Sequence, residues 1–407
     1  FAETANRLNA MQNRRDFTGT FRSLERELRL RRIFLVLLTA VLREAPDVAV
    51  FDVTPHDHVN SALLALLDWL RIPSLFFQPS LVGPQSMPRT SLTSIYDYKM
   101  PKKIRDDYAS ELSEVAVLAG AAISRLESGG GTPKMAAQRN REQAARSLRG
   151  RIRGLLFFVS RLGAGLHFPS VNFSGHTHLP LAFRRVAELL LDWSLRRTLV
   201  ERIRKLPSEK LSTPEKYALF ALHYEPERCS IPEGYPFSSQ LDAVLAARSS
   251  LPADTHLYVK EHFSQAASAL RGQLGRSPEY YDLLESIPGI TVLGIHANTR
   301  NLISSAVGVF TLTGKVGIEA ALVGTPVVVC GQPWWTGMPG TMTFSAFCEI
   351  PGSALGSLEE VERSEILNWL EAQFRSRLLP ILGDATVERY QSRISRLPDR
   401  FSELQVE

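Results

Sequence analysis

The fold of this chain is decided by the stretch VGVFTLTGKVGIEAALVGTPVVVCGQPWWTGMPG, residues 307–340. Residues 307–312 form an apolar run rich in β-branched side chains, which is typical of a buried strand. A turn of small residues follows, and residues 318–322 have a helical composition that ends at Gly324-Thr325-Pro326. Residues 327–330 are a second apolar run. A strand, a glycine-rich turn, a helix and a strand within about 25 residues predict a βαβ unit of a parallel sheet.

The turn at residues 313–317 is a candidate phosphate site. Backbone N–H groups at a helix N-terminus are unpaired and lie at the positive end of the helix dipole, where an anion is stabilised. Gly314 and Gly317 would let a ligand approach the backbone, and Lys315 adds a positive charge. Glu319, in the first turn, can accept hydrogen bonds from a ribose diol. The spacing matches neither the Walker loop nor GxGxxG, so an ordinary βα turn is the alternative interpretation.

Composition restricts the class of protein. The chain has 407 residues, of which 44% are hydrophobic and 22% charged, with a net charge of +5. These values are typical of a globular protein, and the length predicts two domains. No run reaches the roughly 18 apolar residues that span a bilayer. Cys229, Cys330 and Cys348 lack metal or redox spacing, so we expect a reducing, cytoplasmic compartment. The chain begins with Phe1 rather than Met and could be a fragment; no signal peptide is visible.

The excess of positive charge is concentrated in residues 134–161. This segment contains eight Lys or Arg residues against the single acid Glu142, and it includes the apolar run 155–159. Such a cluster suits a phosphate-rich surface, and the adjoining apolar residues favour an anionic membrane over nucleic acid. A solvated basic helix is the alternative.

Strands and helices alternate on both sides of a linker at residues 207–214. We predict an N-terminal Rossmann-like domain over residues 1–206, with a basic helical insertion at about 100–206. A first strand before residue 1 would complete this domain. A second doubly wound domain is predicted over residues 215–345, and helices over residues 346–407.

Three strand ends in the second domain carry dense polar groups. They are LHYEPE (222–227), YVKEH (258–262) and the turn from Thr313 to Glu319. Because the carboxyl ends of parallel strands lie at one edge of a sheet, we expect these groups to meet in one cleft. His56 and Asp57 follow a strand of the first domain in the same way. Each group also has a structural alternative, such as a helix cap or a salt bridge.

Several of these segments resemble one protein family. LHYEPE (222–227), LYVKEH (257–262), TGKVGIEA (313–320) and GTPVVVCG (324–331) are similar to bacterial capsular and surface polysaccharide biosynthesis proteins of the capsule Kdo-transferase type. FDVTPHD (51–57) fits the same family. The resemblance implies a glycosyltransferase with the GT-B fold, in which two Rossmann-like domains face a central cleft.

The resemblance also implies a nucleotide-sugar donor, CMP-linked Kdo, bound by the C-terminal domain without a cofactor or a structural metal. Together with the strand ends, it gives these candidate donor-binding residues: His223, Lys260, Glu261, His262, Thr313, Gly314, Lys315, Gly317 and Glu319. It places a catalytic carboxylate at the first strand end, which is Glu227, with Glu225 as the second candidate. The chain departs from the family in two places, because His262-Phe263 replaces His-Pro and Lys315 replaces the second threonine of Thr-Gly-Thr.

The chemistry of these residues agrees with glycosyl transfer. Breaking a sugar–phosphate bond builds negative charge on the phosphate, which lysines and a helix N-terminus stabilise. Positive charge builds on the sugar ring, which a carboxylate such as Glu227 stabilises or attacks. His56 and Asp57 are candidates for the general base that activates an acceptor hydroxyl.

The leading hypothesis is therefore a transferase that adds a sugar to a capsular or surface polysaccharide, or to its lipid-linked precursor, at the inner membrane surface. One alternative is a nucleotide-sugar epimerase, which would turn over the donor without an acceptor. Another is a non-catalytic component that binds or assembles glycans. His176 and His178 flank a threonine and are expected to be incidental, so no metal is predicted.

Overall fold

A computed structural model describes most of the two predicted domains. The described residues are 2–13, 23–79, 86–89, 181–208, 216–267, 270–350 and 361–377, with single positions at 120, 124, 140 and 355. The basic segment 134–161, apart from position 140, lies outside them, as do His176 and His178.

Within the described residues, the N-terminal part has three helices and a three-stranded sheet. Its elements are α1 (Ala2–Asn13), α2 (Ser23–Glu44), β1 (Ala49–Phe51), α3 (His58–Leu70), β2 (Ser74–Pro79) and β3 (Ser86–Arg89). β1 pairs with β2 in parallel, which is the βαβ unit that the sequence predicts. β3 pairs antiparallel with β2, and no pattern in the sequence indicated that strand.

The C-terminal part is larger and alternates strands with helices. Its strands are β4 (Tyr217–Ala221), β5 (His256–Lys260), β6 (Ile290–Leu293), β7 (Gly308–Thr311), β8 (Val327–Val329) and β9 (Thr341–Thr343). Its helices are α4 (Leu181–Lys205), α5 (Gln240–Ser250), α6 (Pro278–Glu285), α7 (Thr299–Ser304), α8 (Lys315–Ala321), α9 (Phe344–Glu349) and α10 (Arg363–Arg377). Two 3-10 turns, Phe263–Ala266 and Gly272–Leu274, follow β5.

All six strands of this part form one parallel sheet. The spatial order is β6-β5-β4-β7-β8-β9, so the chain builds outward from β4 to β6 and then crosses back to β7 on the other side of β4. This is the Rossmann order 3-2-1-4-5-6, in which ligands bind at the switch point outside the carboxyl ends of the first and fourth strands. The α/β class and the βαβ unit of residues 307–330 are confirmed. The switch point lies between β4 and β7.

Both faces of the six-stranded sheet are covered. Leu219 of β4 belongs to the hydrophobic cluster on one face, and its neighbour Phe220 belongs to the cluster on the other. Both side chains are fully buried. Side chains alternate across a strand, so a strand buried on both faces is apolar at every position. This explains the continuous apolar runs at β4, β7 and β8.

Helix α4 packs on the C-terminal sheet. Its residues Leu199 and Ile203 are 1% exposed and lie in the same cluster as Phe220. Arg202 donates to Asp282 at 2.9 Å and also pairs with Glu285, both on α6. The prediction that residues 181–206 belong to the N-terminal domain rested on sequence periodicity. Periodicity reveals that a helix has a buried face but not which sheet buries it.

The two parts of the chain are in contact beside the polar strand ends. Ile231, in the loop after β4, belongs to a hydrophobic cluster with residues of α1, α2 and α3. Arg89 of β3 donates from Nη1 to Gln78 Oε1 at 2.9 Å and to the carbonyl oxygen of Gln332 at 3.0 Å. Gln332 follows β8, so this arginine joins the two sheets.

Candidate active site

Three polar segments leave the carboxyl ends of the central strands. They follow β4, β5 and β7, which are neighbours in the order β5-β4-β7. The His223 side chain links the first segment to the third, because its Nε2 accepts a hydrogen bond from the backbone N–H of Thr313 at 3.2 Å. Lys260 pairs in register with Ala221, two residues before His223. The polar groups therefore meet at the switch point of the sheet.

His223 is a buried, neutral histidine. Burial lowers its pKa to about 4, and because Nε2 accepts a hydrogen bond, the ring proton lies on Nδ1. The side chain of Gln240 holds its backbone in place by accepting from its N–H at 2.6 Å and donating to its carbonyl at 3.2 Å. A Cβ added to Gly314 would lie 2.8 Å from the ring. His223 thus shapes the turn after β7, and the absence of a side chain at Gly314 makes room for the His223 ring.

A buried arginine that sequence reasoning missed joins the first two segments. Arg276 donates from Nη1 to Glu225 Oε2 at 2.6 Å, from Nε to Glu261 Oε2 at 3.0 Å and from Nη2 to the His223 carbonyl at 3.1 Å. Its side chain is fully buried, and its guanidinium lies 4.4 Å from the ring centroid of Tyr280. It is a single arginine in a loop, so no periodicity or motif marks it.

Glu261 and Glu225 are held in place by several partners. The Glu261 carboxylate, fully buried, also accepts from the Tyr281 hydroxyl at 2.7 Å and from the backbone N–H of His262 at 2.5 Å. The backbone of Glu225 exchanges two hydrogen bonds with the side chain of Gln265, at 2.9 and 3.0 Å. The contacts of these two carboxylates hold the segments after β4 and β5 together. A catalytic carboxylate must in addition be able to reach the sugar.

His262 lies in a positively charged environment. Its Nδ1 accepts from the backbone N–H of Ser264 at 3.2 Å, so the neutral ring carries its proton on Nε2 and offers a donor there. Burial is the largest cause that lowers its pKa to about 3, and the positive charges of Lys260, Arg276 and Lys315 also lower it. Lys260 is only 9% exposed. An anion is the ligand that such surroundings favour.

Lys315 and Glu319 form an ion pair on α8. Lys315 Nζ lies 2.5 Å from Glu319 Oε1, and each side chain is 21% exposed. Gly317 has a packing role, because an added Cβ would lie 2.3 Å from Cη2 of Trp335. Its contact with the donor stays a prediction. The absence of a side chain at Gly317 therefore serves the packing of the buried indole.

Glu227 differs from Glu225 in its exposure. It is partly exposed, while Glu225 is buried and paired with Arg276. The Glu227 carbonyl accepts from the Ser230 hydroxyl at 3.0 Å, which fixes the backbone of the turn. Of the two predicted catalytic carboxylates, Glu227 is the one with access to solvent.

His56 and Asp57 lie before α3 and have different roles in the structure. The Asp57 carboxylate caps α3 by accepting from the backbone N–H groups of Val59 and Asn60 at 2.9 and 3.0 Å. His56 is exposed, and its Nδ1 lies 2.9 Å from the Thr54 carbonyl oxygen. Because a carbonyl only accepts, Nδ1 carries the proton and Nε2 is left as a proton acceptor.

The segment that carries these strand ends matches a known family. Residues 190–345 match the family model described as capsule polysaccharide biosynthesis protein. The match covers less than half of the chain and supports, for this segment, the family that the sequence motifs predicted. The segment begins within α4, the helix that packs on the six-stranded sheet.

Solved structures show a more distant likeness to this chain. The KpsC β-Kdo 2,4 transferase of Thermosulfurimonas dismutans is 14% identical over 52% of this chain and 61% of its own length, with a TM-score of 0.27. The β-Kdo 2,7 transferase of the same KpsC is 12% identical over 87% of each chain, with a TM-score of 0.32. S. aureus MnaA with UDP is 12% identical over 82% and 74%, with a TM-score of 0.27. This chain thus spans less than two thirds of the first of these proteins. No curated protein matches it.

The polar groups at the described strand ends do not include a cluster of metal ligands. In the parts of the chain that the structure describes, no three His, Cys, Asp or Glu side chains are grouped as a metal site. The three cysteines are free thiols, with Cys229 and Cys330 buried and Cys348 exposed.

The two buried histidines of the strand ends, His223 and His262, predict that the stability of the protein depends on pH. In the unfolded chain each takes up a proton near pH 6.5, whereas in the folded chain His223 stays neutral to about pH 4 and His262 to about pH 3. Since the unfolded state binds more protons below pH 6.5, the free energy of unfolding should fall as the pH is lowered from 7 to 5. Urea denaturation at pH 7, 6 and 5 measures this. His223→Gln should reduce the slope, whereas the same change at the exposed His296 should not; equal slopes in all three proteins would contradict the assignment.

Proposed function

We propose that this chain is a GT-B glycosyltransferase of capsule polysaccharide biosynthesis. It transfers a sugar from a nucleotide-sugar donor to a capsular or surface polysaccharide or to its lipid-linked precursor. The observation that carries the proposal is the positively charged environment of His262 at the switch point of a Rossmann-type sheet, within a domain of this family.

The donor phosphate is assigned to the edge between β5 and β7. Lys260, Lys315 and the Nε2–H of His262 supply two positive charges and a hydrogen-bond donor there. When the bond between the sugar and the phosphate oxygen breaks, the electron pair stays on that oxygen, and these groups stabilise the charge that develops. Because they are fixed by the strand ends before the reaction, little reorganisation opposes the step.

The nucleoside is assigned to the start of α8. Lys315 is paired with Glu319, and a donor phosphate competes for the same ammonium group. Once Lys315 turns toward the phosphate, the Glu319 carboxylate is free to accept hydrogen bonds from a ribose diol. We assign the nucleotide to CMP and the sugar to Kdo on the resemblance described above.

The sugar ring and the acceptor are assigned to Glu227 and His56. Glu227, being partly exposed, stabilises the positive charge on the ring as the donor bond lengthens. The acceptor hydroxyl forms the new bond to the anomeric carbon and gives its proton to His56 Nε2, whose tautomer is set by the Thr54 carbonyl. Asp57 keeps the backbone before α3 in place as its helix cap.

The proposed place of action is the cytoplasmic surface of the inner membrane. Among the helices that the structure describes, none is long and apolar enough to cross a membrane. The proposed contact with anionic lipid rests on the sequence of residues 134–161, with their eight basic side chains.

A thermal-shift panel tests the donor site. We expect one of CMP, UDP or GDP, and CMP first, to raise the Tm, since a ligand at 100 times its Kd stabilises the folded state by about 2.7 kcal/mol. Cytidine, uridine and guanosine are the matched controls, because they lack the phosphate that the lysines are proposed to bind. If nucleosides and nucleotides shift the Tm equally, the phosphate assignment is wrong.

Product analysis separates transfer from the other activities. Incubation with CMP-Kdo and a capsular oligosaccharide should give a lengthened oligosaccharide and free CMP in equal amounts. Conversion of a donor to its epimer without acceptor would identify an epimerase, and nucleotide binding without turnover would identify a binding component. Either result would overturn the proposed transfer.

A further inference from the structure

The Arg276 guanidinium lies between two of the three strand-end segments without reaching solvent. It donates to the Glu225 carboxylate and the His223 carbonyl, which follow β4, and to the Glu261 carboxylate, which follows β5. Its side chain has no exposed area. A group with no exposed area cannot contact a substrate in this arrangement, so any effect on the reaction must pass through its partners.

Hydrogen bonds connect Arg276 to His262 through one residue, Glu261. Glu261 accepts from Arg276 and from the Tyr281 hydroxyl on Oε2, and from the backbone N–H of His262 on Oε1. His262 then caps the following 3-10 turn through the Ser264 N–H, which sets its tautomer. The orientation of the His262 ring therefore depends on a carboxylate that Arg276 holds in place.

Arg276 is the ion-pair partner of two buried carboxylates. Glu225 and Glu261 are both buried, and each forms an ion pair with Arg276. Removing one partner of a buried ion pair leaves the other charge without compensation. A lysine would keep the charge but could not form three hydrogen bonds in the planar geometry of a guanidinium.

We propose that Arg276 is a positioning residue of the donor site, which fixes His262 through Glu261 and fixes the segment after β4 through Glu225 and the His223 carbonyl. The effect on donor binding rests on the proposed function, whereas the effect on His262 does not.

The first test compares Arg276→Lys with Arg248→Lys. Arg248 is the matched control, because it also donates several hydrogen bonds, to the carbonyl oxygens of Leu251, Pro252 and Thr255, but lies at the amino end of β5. With 15N-labelled histidine, we expect Arg276→Lys to change the Nδ1 and Nε2 chemical shifts of His262, assigned with His262→Gln, while Arg248→Lys leaves them unchanged. CMP should bind at least ten-fold more weakly to Arg276→Lys and within two-fold of the parent to Arg248→Lys.

Tyr281→Phe provides a milder variant in case Arg276→Lys fails to fold. It removes the hydroxyl that donates to Glu261 and leaves Arg276 in place, and we expect a smaller change of the His262 shifts in the same direction. Unchanged His262 shifts in the folded variants would overturn the proposal, even if the Tm falls. If the parent protein binds no nucleotide, the proposed function fails, while the chemical shifts still decide the role of Arg276.

Discussion

Replacing Lys260 by Met is expected to lower kcat/KM for sugar transfer by about 10²–10³-fold, the usual cost of removing one preorganised donor to a developing oxyanion. Lys260 is 9% exposed and lies at the carboxyl end of β5, where its charge acts on His262. The folded state should lose only about 1 kcal/mol, because a methionine fills the volume of the lysine stem and the hydrogen bond from Lys260 Nζ to the Glu261 carbonyl oxygen is lost. Transfer kinetics and the Tm of the same protein provide the two measurements.

Lys216→Met is the matched control for this change. Lys216 comes immediately before β4, at the opposite end of the sheet, where it is 48% exposed and 3.6 Å from Asp254. Activity and stability should both stay near those of the parent. If the two variants lose activity equally, a general effect of charge explains the loss, and Lys260 has no special place in the site.

Replacing Gly317 by Ala is expected to destabilise the protein by about 3 kcal/mol, the upper part of the range for overpacking a core. The added Cβ would lie 2.3 Å from Cη2 and 2.9 Å from Cζ2 of Trp335, whose side chain is fully buried. An indole ring is rigid, so α8 or the loop after β8 must shift. Urea denaturation of the variant and the parent measures the difference.

Two further variants show whether the indole ring is the cause. Trp335→Phe removes the part of the ring that the new Cβ would meet, so Gly317→Ala with Trp335→Phe should cost less than the sum of the single changes. Gly120→Ala serves as the control, since a Cβ there meets no atom within 4 Å. Strict additivity in the double variant would exclude the contact as the source of strain.

Much of the C-terminal fold could be predicted from local patterns. The apolar runs at β4, β7 and β8 are continuous because both faces of the sheet are buried, and the small residues between β7 and α8 mark the turn. Strand order then brought the three polar segments to one edge. The edge strands β3 and β9 were missed, since residues 86–89 and 341–343 contain Pro, Ser, Thr or Met rather than an apolar run.

The hydrogen bonds and packing contacts within the site could not be predicted from local patterns. Arg276 lies in an irregular loop, and its three acceptors come from two other segments, so only the folded chain brings them together. The packing role of Gly317 could not be predicted, because the side chain that requires it, Trp335, is 18 residues further along the chain and beyond a strand. The sheet against which α4 packs could not be predicted either, because its partners in that sheet lie far along the chain.

The position of β4 in the middle of the sheet has a consequence for synthesis on the ribosome. During synthesis β4 can pair first with β5, which follows about 40 residues later in the chain. Its other edge stays unpaired until β7 is made, which begins about 90 residues after β4, at Gly308. Until that part of the chain has left the exit tunnel, the apolar central strand is an open edge that can pair with another nascent chain. Chaperone capture of this protein should therefore concentrate in the interval between the emergence of β4 and the emergence of β7.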